Sequence, residues 1–157
     1  MTQSDLMYFD DLEPGQSFPL GPKQVSRDEV IEFAAEFDAQ PMHLDEEAGK
    51  ASILGGLAAS GWHTCALMMR MIIDSFLDRM ASEGGPGVDF VSWKRPVLAD
   101  DTLSGQTTIL EARRSQSRPL IGIVRFRVEL FNQRGELVLE SEYPSMIRAR
   151  NPAGATA

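Results

Sequence analysis

The stretch from Ser60 to Gly85, SGWHTCALMMRMIIDSFLDRMASEGG, restricts the possible folds more than any other part of the chain. Trp62, Cys65, Ala66, Leu67, Met68, Met69, Met71, Ile72, Ile73, Phe76, Leu77 and Met80 leave only a narrow polar stripe through Arg70, Asp74 and Asp78. A helix so apolar around its circumference has to be covered by protein on nearly every side. Ser60 is placed to cap it and Gly84 to end it in the left-handed conformation, which predicts a rod on the order of 30 Å long. Its charges interrupt any run of the roughly 18 uncharged apolar residues that a membrane span needs. The acidic start MTQSDLMYFDDLEPG has neither the basic nor the apolar region of a signal peptide. A cytoplasmic protein with no membrane partner is expected.

The cover for such a rod has to come from the rest of the chain. After Gly87 the apolar period changes to two. In LIGIVRFRVELF, Leu120, Gly122, Val124, Phe126, Val128 and Leu130 alternate with Ile123, Arg125, Arg127 and Glu129, and NQRG then turns the chain into ELVLESEYPSMIRA. VDFVSWK and TLSGQTTILEA, joined by RPVLADD, add two more strands. Before Ser26, the scattered Gly and Pro residues allow only short strands and turns. Helices followed by antiparallel strands predict an α+β domain, a curved antiparallel sheet wrapped around a long central helix. At 157 residues, 43% of them hydrophobic, one domain over 1–150 is expected, followed by a loose tail, NPAGATA, over 151–157. A lone sheet leaves open edges, so a homodimer or higher homo-oligomer is expected. The net charge of -8 argues against nucleic acid as a partner.

The chemistry is concentrated in FDAQPMHLD, residues 37 to 45. SRDE, beginning at Ser26, reads as a capping box, and Val30, Phe33, Ala34 and Phe37 then follow at helical spacing, which predicts a helix over 27–37. Pro41 disfavours helical geometry at Gln40, so DAQPMH reads as a tight loop, with Asp45 capping a second, short helix. Asp38 and His43 are too far apart for one helix face, but a proline-bent loop can aim both at one water molecule. An ionised carboxylate beside a neutral imidazole polarises such a water, and the imidazole can carry the proton. The structural alternative makes Asp38 a helix terminator and His43 a loop residue bonded to a backbone carbonyl. At the start of the long helix, the free amides near Ser60, Gly61 and Trp62 carry partial positive charge, suited to an anionic oxygen. Cys65 reads as a small buried hydrophobe and His63 as a helix-packing residue. A metal site from His43, Asp45, Glu47 and His63 has no standard ligand spacing, and none is expected.

FDAQPMHLDEEAGKASILGGLAASGWHTCALMMRMI strongly resembles the MaoC-like hydratase/dehydratase family, whose motif D-x-N-P-x-H-x-D falls here on Asp38, Gln40, Pro41, His43 and Asp45. RPVLADDTL is similar to the family's P-V-x-x-G-D-T-L, and LFNQRGELVLE to its hairpin turn. The resemblance implies a hot-dog fold and a hydro-lyase of fatty acid metabolism, adding or removing water across the double bond of a 2-enoyl thioester. The usual substrate is an acyl-CoA with R stereochemistry at the product carbon. It implies Asp38 and His43 as catalytic residues, Gln40, Ser60 and Gly61 as substrate-binding residues, and no cofactor beyond the coenzyme A of the substrate. Arg95, Arg113, Arg114, Arg118 and Arg148 are candidates to meet its phosphates, or simply solvated surface charges. The chain departs from the family at Gln40 (usually Asn), at Ser60 (many members have His before the glycine) and at Asp100 (glycine in G-D-T-L). Two other readings stay open: a hot-dog thioesterase, and a non-catalytic acyl-thioester binding module.

Overall fold

A computed structural model describes residues 6–152, so all but the first two residues of the expected tail lie outside the described residues. Five antiparallel strands form one sheet in the order β1-β3-β4-β5-β2. They are β1 (Ser17–Gln24), β2 (Phe90–Trp93), β3 (Thr102–Arg114), β4 (Ile121–Phe131) and β5 (Leu137–Arg148). The period-two reading of β4 holds residue for residue: Gly122, Val124, Phe126, Val128 and Leu130 are buried and their neighbours are not. Leu120 falls outside the strand and is exposed. At the β4–β5 turn Asn132 Oδ1 accepts from the amides of Arg134 and Glu136, and Gly135 takes a φ of 73°.

The first helix, α1 (Arg27–Phe37), has the expected bounds, with Ser26 Oγ accepting from the Glu29 amide. The stretch expected as a loop is instead a single helical turn, α2 (Pro41–Leu44). Proline disfavours helical geometry at the residue before it, here the extended Gln40, but is itself well suited to the first helical position, where its missing N–H has no partner to lose. Asp45 then caps α3 (Glu46–Ala51), accepting from the Ala48 amide at 2.9 Å.

The longest helix, α4 (Gly61–Ser75), is shorter than expected. It does not run to Gly84, because Phe76 breaks it with φ −150° and ψ −27°, and a 3-10 turn, Leu77–Arg79, follows. The Phe76 ring is fully buried, stacked on Phe18 of β1 at 4.3 Å between centroids and packed against Phe126 of β4 at 5.8 Å. Seating this ring against two strands outweighs continuation of the helix. One face of α4, through Leu67, Met68, Met71 and Ile72, belongs to the main core. Trp62 and Met69, on its other side, are exposed in the single chain.

Candidate active site

Asp38 follows the last turn of α1, its amide bonded to Ala34 O at 2.9 Å. Three residues later α2 turns His43 back toward it, and His43 Nε2 comes within 3.6 Å of Asp38 Oδ2. The other ring nitrogen, Nδ1, lies 2.7 Å from the Ala58 carbonyl oxygen. A carbonyl only accepts, so in the neutral ring Nδ1 carries the proton and Nε2 presents a lone pair to the carboxylate. Two acceptors cannot bond to each other, and at 3.6 Å both lie within reach of one water molecule that donates a hydrogen to each.

The Ala58 carbonyl is itself held in place. Its segment is stitched to the loop after β2 by Ala59 N–H to Val97 O at 2.8 Å and Ala99 N–H to Leu57 O at 2.9 Å. That loop is closed by Asp101, 4% exposed, whose carboxylate accepts from the Leu98 amide at 2.9 Å and from Gln133 Nε2 at 2.8 Å. RPVLADDTL therefore reaches the site indirectly, by fixing the acceptor that selects the His43 tautomer. Asp100, in the place of the family's glycine, takes a φ of 72°, which explains why glycine is favoured there.

Gln40 and Ser60, expected as substrate-binding residues, are both placed against Asp38. Ser60 Oγ donates to Asp38 Oδ2 at 2.7 Å while accepting from the Trp62 amide, and Gln40 Nε2 donates to Oδ1 at 2.7 Å. These donors, Ser60 first, hold the Asp38 carboxyl below the usual carboxylate range. The Asp38 side chain remains 19% exposed, so water reaches it.

A cavity of about 250 Å³ reaches the pair through His43, bounded also by Ala58, Gly61, Thr64, Trp93 and Arg95 among others. Asp38, Gln40 and Ser60 do not line it directly. What approaches Gly61 most closely is the Trp93 indole: a Cβ at position 61 would lie 2.7 Å from the ring, and Trp93 Nε1 donates to Gly61 O at 3.0 Å. The glycine is required by this packing, which no local sequence signal shows, because Trp93 is 32 residues away on β2.

The remaining titratable candidates serve other ends. His63 is buried, stacked on Phe33 at 4.7 Å and 3.8 Å from Glu29; burial lowers its pKa. Glu47 pairs with Lys50, and among the described residues no group of three or more His, Cys, Asp or Glu is placed to hold a metal ion. Cys65 is half-buried, which raises its thiol pKa and argues against a nucleophile.

A family model described as a MaoC like domain matches residues 11–124, which contain the dyad, α4 and the loop that fixes Ala58. The chain belongs to the MaoC-like family. A MaoC-like dehydratase from Rhodospirillum rubrum has a similar structure, with a TM-score of 0.82 and 38% identity over 92% of this chain and 99% of that one. Among curated proteins, an uncharacterized protein of Bacillus subtilis, YdeM, is 30% identical over 90% of this chain and 99% of its own length. An (R)-specific enoyl-CoA hydratase of Rhodospirillum rubrum is 28% identical over 96% of this chain and 99% of its own. The architecture is the hot-dog fold, the description carried by a similar structure from Mycobacterium tuberculosis with a TM-score of 0.74 and 19% identity, over 99% of this chain and 48% of that one. Among the described residues of this MaoC-like chain, no helix is long and apolar enough to cross a membrane.

Proposed function

We propose that this MaoC-like protein hydrates a 2-enoyl thioester, or dehydrates the corresponding 3-hydroxyacyl thioester, with an acyl-CoA of R configuration as the 3-hydroxy form. The observation that carries this reading is the 3.6 Å gap between Asp38 Oδ2 and His43 Nε2, with Nδ1 committed to Ala58 O. A water beside that pair donates to both acceptors and turns its oxygen lone pairs toward the substrate. As the oxygen bonds to C3, the double-bond electrons move onto the thioester oxygen, which the Gly61 amide at the first position of α4 stabilises. His43 Nε2 takes the proton of the water, because the carboxyl of Asp38, held low by Ser60 and Gln40, is the poorer base. Asp38 stays anionic and stabilises the imidazolium, which then returns a proton to C2. Water has been added and no redox change has occurred, so the reaction needs no cofactor besides the coenzyme A of the substrate. The reading takes the protein to be cytoplasmic and to work as a homodimer.

The test is incubation with a panel of 2-enoyl-CoA esters, following conjugated absorbance and free thiol together. Hydration removes the absorbance with no thiol released. Thiol release in step with substrate loss would make the protein a thioesterase, and no change with any chain length would leave a binding module.

A further inference from the structure

The cavity beside the dyad is smaller than a coenzyme A ester, so most of the substrate must lie outside it. Lys94, Arg95 and Pro96 form part of its lining. Arg95, Pro96 and Leu54 also line a second cleft, of about 180 Å³, that continues to Arg134 and Glu136 at the β4–β5 turn. The shared residues make the two clefts neighbours, the first reaching His43 and Gly61 and the second Arg134. In a chain of net charge -8, three cations line them.

Arg95 Nη1 lies 3.9 Å from Glu136 Oε1, and Arg134 Nε 3.0 Å from Glu136 Oε2, so one carboxylate holds two guanidinium groups side by side. Lys94 Nζ is 3.4 Å from Glu140. The other cations considered from the sequence, Arg113, Arg114, Arg118 and Arg148, lie at the far end of β3, β4 and β5, on the order of 30 Å away along the strands. Two of these are already engaged, Arg114 with Asp10 and Arg148 with Glu83.

We propose that Lys94, Arg95 and Arg134 form the port that receives the phosphates of a phosphopantetheine thioester, while its acyl end reaches the dyad. The inference rests on the thioester reading above and adds the site for the carrier. Guanidinium groups match phosphate oxygens in a paired geometry, and exposed side chains are free to swing onto an arriving anion. Glu136 presents the pair and competes with the ligand for it. The phosphates can belong to coenzyme A or to an acyl carrier protein.

The test compares one enoyl group on coenzyme A and on pantetheine, which has no phosphate. With Arg95→Gln plus Arg134→Gln, KM for the CoA ester rises on the order of tenfold at unchanged kcat, the KM for the pantetheine ester does not move, and Arg113→Gln leaves both unchanged. Glu136→Gln lowers KM for the CoA ester. Inhibition by adenosine 3′,5′-diphosphate identifies coenzyme A as the source, whereas a response confined to acyl-carrier-protein thioesters identifies the protein carrier. Equal KM changes for the CoA and pantetheine esters, or none, would overturn the port. Should no enoyl thioester turn over, titration calorimetry with free coenzyme A and pantetheine separates the two ideas. A preference for coenzyme A that the double variant loses upholds the port while the hydratase reading fails; no preference in the parent removes the port as well.

Discussion

Ser60 shows how much one side chain can carry. It is fully buried, caps α4 through the Trp62 amide, and is the leading cause of the depressed Asp38 carboxyl. Ser60→Ala is expected to cost about 0.5–2 kcal/mol from the cap alone, measured by urea unfolding. It also returns Asp38 toward the ordinary carboxylate range, so the acid limb of kcat/KM that reports Asp38 moves to higher pH. The sign for stability follows from linkage. A carboxyl whose folded pKa lies below its unfolded value contributes fully above the unfolded value and loses that contribution as pH falls through the folded one. The parent should therefore keep this contribution to lower pH than Ser60→Ala, and an identical acid dependence of the two proteins would show that Ser60 does not set the charge of Asp38. Asp38 and His43 were legible as a pair because motif and chemistry agree. A backbone carbonyl as the partner of His43 was one of the sequence readings, but nothing near Ala58 marks its carbonyl as the one.

At the scale of elements, the loop Val97–Asp101 ties the site together from a distance. Removing the buried carboxylate in Asp101→Ala leaves the Leu98 amide and Gln133 without their acceptor. A loss of about 1–3 kcal/mol is expected by thermal unfolding, with a lower kcat because the Ala58 carbonyl is freed. Asp100→Gly acts in the opposite direction: relieving the left-handed backbone should gain up to about 1 kcal/mol and raise Tm by about 2–4 °C at unchanged activity. The helices divide by where their signals lie. α1 and α3 were readable because Ser26 and Asp45 cap within three residues of sequence. The end of α4 was not, because Phe76 breaks it to reach Phe18 and Phe126, which lie 58 and 50 residues away in sequence. Pro41 hides α2 in the sequence, because the same residue disfavours helix at Gln40 and favours it at the first helical position.

The whole molecule exposes an apolar surface along the short edge strand β2. Trp62 and Trp93, 64% and 46% exposed, meet edge to face at 5.4 Å, and the exposed Met69 and Val88 line a common cavity. An edge strand flanked by such residues invites a second copy. Sedimentation equilibrium is expected to give twice the chain mass of 17.3 kDa, and Trp62→Glu combined with Val88→Glu to give the single-chain value; a parent that sediments as one chain would refute the dimer. The fold class and sheet were legible because alternation in β4 and the apolar rod are long-range patterns written in local sequence. The contact between Trp93 and Gly61 joins segments 32 residues apart in sequence and had no such trace. Hydration depends on a water shared by Asp38 and His43, and Asp38→Asn tests this most directly: the amide nearly matches the carboxylate in shape but cannot remain an anion. With circular dichroism unchanged, hydration of a 2-enoyl-CoA is expected to fall by about 10²–10⁴-fold. An Asp38→Asn protein that hydrates as fast as the parent would contradict it.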